Sequence, residues 1–99
     1  DGDRDDVPEI KGSKPIAPDA YDGKDDIKVF EGWILKTLHW MRMLRMIGPN
    51  YDELRTKYLG SVLSGIALFW YEQEIESPQR MGSQYYFEDV VVALFKRFI

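Results

Sequence analysis

The chain contains no cysteine and a single histidine, His39. The first absence excludes a disulfide framework, a thiolate zinc site, an iron–sulfur cluster and thiol catalysis. The second excludes a multi-histidine metal site and leaves a Ser-His-Asp triad one candidate base. No apolar run approaches the ~18 residues of a membrane span. The first residues are acidic, unlike a signal peptide. No membrane partner is expected, and a cytoplasmic location is. Positive charge is also scarce. Lys and Arg number 13 against 17 Asp and Glu, for a net charge of −4. Nucleic-acid binding draws its affinity from neutralised phosphates and needs a clustered basic face. Residues 25–99 hold nine bases against ten acids. Arg42 and Arg45, with Lys96 and Arg97, read as solvated helix surface. The segment is therefore not expected to bind RNA by itself.

What is present fits one small folded domain. The 99 residues are 44% hydrophobic and 14% aromatic, so the core must be built on large rings. Three of the five prolines, Pro8, Pro15 and Pro18, fall in residues 1–24, where no helical periodicity is found. Proline disfavours helix at its own position and before it. Residues 1–17 are read as an extended leader with a disordered acidic tip. Its apolar residues, Val7 and Ile10 among them, are candidates to lie along a groove on the body.

Beyond the leader the periodicity predicts an all-α bundle of about four helices, near 25–47, 51–64, 66–76 and 84–98. Asp25 or Asp26 caps the first, and Gly48-Pro49 terminates it. Ile27, Phe30, Trp33, Ile34, Leu38, Trp40, Met41, Leu44 and Ile47 form its wide apolar face. Asn50 and Glu53 have the spacing of a capping box for the second helix. Gly65 breaks it from the third, which ends before Ser77-Pro78. A loop spans 77–82, and Ser83 is positioned to cap the fourth. Trp33, Trp40 and Trp70 are expected to be buried.

No constellation of residues points to catalysis, and the chain is not expected to be an enzyme or to hold a cofactor. The run of aspartates at 1–6 imitates the start of a calcium loop. It then places Asp6 and Gly12 where that loop needs glycine and a bidentate glutamate. His39 has no motif partner that would make it a general base. Glu72 and Glu76 share a helix face, yet no further ligand joins them. Gly60 and Gly65 lack the lysine of a phosphate loop. One surface feature is less ordinary. Leu35, His39, Met43 and Met46 are spaced by four, four and three on the first helix, forming a second stripe. Such a stripe is either a contact surface for self-association or a strip covered by the leader or another helix.

The order of the motifs resembles the capsid region of Gag from gypsy-type LTR retrotransposons. The first block is Pro18-Asp-Ala-Tyr21-Asp-Gly23, followed by Phe30-Glu-Gly-Trp33. The second is Leu63-Ser-Gly65-Ile-Ala67-Leu-Phe-Trp70. The third is Phe87, Val90, Leu94 and Phe98, with Phe87 standing where the family often has tryptophan. The resemblance covers 18–99 and points to the amino-terminal capsid lobe, with a second lobe expected to follow in a longer chain. It implies a non-enzymatic role as a building block of virus-like particles, through weak lobe–lobe contacts that leave an isolated lobe monomeric. It also implies that RNA is held by segments outside this chain. Domesticated relatives such as neuronal Arc bind short peptides in a groove of this lobe, which makes a peptide-binding module the alternative.

Overall fold

A computed structural model describes residues 15–76 and 86–99. The acidic tip of the leader, the aspartates at 1–6, the loop 77–82 and the Ser83 cap lie outside the described residues. Among the described residues the fold is all-α, with four helices in chain order: α1 (Ile27–Met43), α2 (Asp52–Gly60), α3 (Gly65–Glu74) and α4 (Phe87–Phe98). A 3-10 turn (Pro49–Tyr51) leads into α2.

The start of α1 follows from a carboxylate. Asp26 is extended, and its Oδ1 accepts from the backbone N–H of Lys28 at 2.9 Å and of Val29 at 3.3 Å. Two otherwise unpaired donors of the first turn are satisfied in this way. The end of α1 differs from expectation. The helix stops at Met43, four residues before Ile47. Arg45 takes a left-handed conformation (φ 65°), and the chain closes with two backward bonds. Met46 N–H donates to the Met41 carbonyl at 3.0 Å, and Arg45 N–H donates to that of Arg42 at 2.9 Å. This is a Schellman closure built on arginine where glycine is usual. It turns Met46 inward, so that Met46 joins the buried core.

The second junction also departs from the sequence reading. Asn50 sits within the 3-10 turn, Tyr51 occupies the cap position, and no side chain caps α2. The capping box of Asn50 and Glu53 is not formed. The helix ends at Gly60, and residues 61–64 make the turn into α3. Gly65, with φ 54°, is the first residue of α3 rather than a spacer before it. Glu76 falls beyond the end of that helix, so Glu72 and Glu76 do not share a helical face.

The core is one cluster that draws on every helix and on the extended segment before α1. Trp33 and Trp40 are buried as expected. Trp70 is only half-buried, packing edge-on to Phe98 with ring centroids 6.1 Å apart. Helix α3 is apolar around most of its circumference and presents only Ala67 and Tyr71 fully to the core. The surplus apolar residues therefore face outward. Among them, Phe69 is 63% exposed.

Candidate functional site

Several of the motif residues meet at one place. Tyr21 pairs with Leu63 in a parallel bridge, the β-type pairing found among the described residues. Tyr21 N–H donates to the Val62 carbonyl at 3.0 Å, and Ser64 N–H returns a bond to the Tyr21 carbonyl at 2.9 Å. The same Val62 carbonyl accepts the Trp33 indole Nε1–H at 3.1 Å. The Tyr21 ring stacks on Trp33 at 5.3 Å and meets Phe30 edge-on at 5.4 Å and Phe98 at 6.2 Å. Its hydroxyl donates to the Lys24 carbonyl at 2.6 Å. Burial pushes that hydroxyl's pKa upward, with the Asp22 and Asp25 carboxylates adding to the shift.

Glycine is required here for space. Gly23 has φ 100°, and a Cβ on it would stand 2.8 Å from Ile66 Cγ1. A side chain would be strained at this φ and would have to push the Ile66 side chain aside. Tyr21, Gly23, Phe30, Trp33, Leu63, Ala67 and Phe98 thus form one buried knot, with Pro18 half-buried and Gly65 exposed at its edge. Phe87 and Leu94 are buried along α4 in the same core cluster. The knot is packed and hydrogen-bonded.

The proposed contact stripe divides. Leu35, 66% exposed, lies open to solvent on α1 with His39 and Met43. Met46 does not belong with them, because the left-handed turn at Arg45 takes it off the helix and into the core. No described segment covers Leu35.

Two grooves flank α1. One, of about 440 Å³, runs between the extended residues 18–22 and α1, where Gly32 leaves its floor open and Trp33 walls it. The other, of about 610 Å³, lies between the C-terminal half of α1 and the N-terminal half of α4. Its floor is Ile34, Leu38, Met41 and Val91; Ile47 and Val92 stand at its edge. Arg42, Arg55 and Glu88 also line it.

Arg55 is the residue that sequence reasoning missed. Its guanidinium lies 4.2 Å from the centroid of the Phe87 ring and 3.7 Å from the Asp52 carboxylate. Its Nε is buried and, among the described residues, has no hydrogen-bond partner. Nothing in the local periodicity distinguishes it from a solvated helix arginine. The only local hint is Asp52 three residues earlier.

Elsewhere Tyr71 ties α3 to α2. Its hydroxyl donates to the Thr56 carbonyl at 2.7 Å. Burial, reinforced by the Glu76 carboxylate, holds it protonated well above the ordinary tyrosine value of 10.0. Among the described residues, no group of three or more His, Cys, Asp or Glu side chains is placed to hold a metal ion. No helix there is long and apolar enough to cross a membrane. No family model, curated protein or solved structure matches the chain.

Proposed function

We propose that this chain is a capsid-type lobe of a retrotransposon Gag protein, and that its work is self-assembly rather than catalysis. The observation that carries the reading is the convergence of its motif blocks. Pro18 to Gly23, Phe30 with Trp33, and Leu63 to Ala67 are separate in sequence and close on one another around Tyr21. Blocks that define a single lobe should meet in this way. The exposed Leu35, His39 and Met43 supply a surface for weak contacts, which gain strength by repetition in a shell. On this reading the lobe acts in the cytoplasm, and RNA is held by other segments of the particle protein.

The test is particle formation by a natural protein carrying these residues, viewed by electron microscopy with and without RNA. Particles are expected. The double variant Leu35→Glu/Met43→Glu should abolish or thin them while leaving helical circular dichroism unchanged, since both side chains are exposed. Absence of particles from the natural protein under both conditions overturns the reading.

A second reading, a module that binds a short extended peptide, is favoured by the groove beside residues 18–22. Chemical-shift changes confined to Gly32 and Trp33 on adding a peptide library would support it.

A further inference from the structure

The α1–α4 groove and the outer face of α3 are complementary, and they lie toward opposite ends of α4. Ile66 on α3 stands beside Gly23 and Phe98, at the last turn of α4. The groove is walled by Phe87 and Glu88, at its first turn. One copy can therefore present both surfaces at once.

Their shapes correspond. From Ile34 to Arg42 the groove follows about two turns of α1, roughly 12 Å. Its lining is mostly helical and includes Met46, Ile47, Gly48 and the first turn of α4, which no side chain caps. An extended partner would leave its own amides unanswered over an apolar floor, whereas a helix satisfies them internally. Helix α3 has a two-turn exposed face to offer, apolar at Ile66 and Phe69 and polar at Gln73. Ile66 is 62% exposed and Phe69 63% exposed, spaced by three, with Gln73 completing the row.

Their charges correspond as well. Helix α3 carries Glu72 and Glu74 and no base. The groove carries Arg42 and Arg55 on its α1–α2 side, and Glu88 stands on the α4 side. Asp52 answers part of the Arg55 charge at 3.7 Å, while no carboxylate among the described residues pairs with Arg42. Glu72 follows Phe69 by three on the flank of the α3 face, so a carboxylate accompanies Phe69 into a groove where Arg42 has no carboxylate partner among the described residues.

We propose that the α1–α4 groove of one copy receives the Ile66–Phe69 face of α3 from a second copy, with Glu72 meeting Arg42. This rests on the self-assembly reading and adds to it a contact separate from the Leu35 stripe. Because the two surfaces differ, the contact is head-to-tail. Such contacts close into rings or grow into filaments rather than stopping at a dimer.

Sedimentation velocity of the chain at rising concentration tests the proposal, with circular dichroism confirming the fold of each variant. The natural chain should show concentration-dependent association. Arg42→Glu and Glu72→Arg should each weaken it by about tenfold or more. Phe69→Glu and Val92→Glu should abolish it. All four positions are exposed, so the fold is retained. The decisive sample is an equimolar mixture of Arg42→Glu with Glu72→Arg. Each supplies the charge the other needs, and association should return. Association that survives all four variants overturns the docking and leaves self-assembly to the Leu35 stripe. Failure of the mixture to recover overturns the pairing of Glu72 with Arg42. A chain that stays monomeric to about 1 mM overturns the docking outright. Association through these surfaces without particles overturns the capsid reading alone.

Discussion

The two halves of α1 live in different surroundings. The N-terminal half is closed. Phe30 and Trp33 are buried under Tyr21, and the indole N–H and the Tyr21 amide share one carbonyl. The C-terminal half is open. Leu38 and Ile34 are half-buried beside a groove of about 610 Å³, and a buried guanidinium nitrogen near it lacks a partner among the described residues. Both halves use apolar side chains at helical spacing, so hydrophobicity does not separate them. Satisfaction does. Where donors and rings have partners, as around Tyr21, what is left to a ligand is the groove beside residues 18–22. Where apolar area and charge remain unanswered, binding has something to gain.

The sharpest way to break this comparison is to truncate neighbours on α1. Trp33→Ala removes a buried ring and an indole bond and should cost about 3–5 kcal/mol by denaturant unfolding. Ile34→Ala, on the groove floor, should cost only about 1–2 kcal/mol, because part of its side chain is already in water. Equal costs would mean that the groove is closed in solution.

Gly60→Ala extends the contrast to α2. An added Cβ would sit 2.6 Å from the Tyr71 ring, which is buried and has no room to swing. Overpacking of about 1–3 kcal/mol is expected, despite alanine's better helix propensity. A gain in melting temperature would show that the α2–α3 contact is looser than its geometry.

Tyr71→Phe removes the bond to Thr56 and should cost about 1 kcal/mol near neutral pH. The alkaline limb is the finer test. The folded pKa is raised above the unfolded value of 10.0, so the unfolded chain loses its proton first. The stabilisation is complete below pH 10 and is lost as pH rises toward the folded pKa. The variant should therefore unfold less steeply above pH 10 than the parent. Parallel alkaline transitions would assign the loss to other groups.

The smallest effect belongs to the open end. Arg45 is held left-handed at φ 65°. Arg45→Gly relieves that strain and should raise stability by roughly 0.5–1 kcal/mol, after glycine's entropic cost. A loss would mean that the arginine side chain makes a contact worth more than the strain.

The same residue explains what the sequence could not reveal. Four helices were readable because Phe30, Trp33 and Met41, or Val90, Leu94 and Phe98, repeat at helical spacing. The Asp26 cap was readable because an aspartate before an apolar run has a mechanical role. The end of α1 was not, because its stop is an arginine in a conformation usually marked by glycine. Gly48-Pro49 offered a more conventional stop three residues on. That one turn decides whether Met46 faces solvent or core, and so removed it from the expected stripe. The half-exposure of Trp70 was hidden for another reason. Helix α3 is apolar on most sides, and periodicity cannot choose a face when nearly all faces qualify. Arg55 was invisible because its surroundings are assembled from α2 and α4. Only the folded chain brings Phe87 beneath it.

The Val62 carbonyl has a consequence for the order in which the chain takes shape. It is claimed by Tyr21 from one side and by Trp33, 29 residues away, from another. Helix α1 can begin to form from local contacts, but neither claim can be met before the α2–α3 turn exists. On a ribosome the first apolar block of this chain is therefore exposed until the second has been synthesised. Tyr21, Trp33 and Val62 should then lock together and, in native-state hydrogen exchange, open together as one unit.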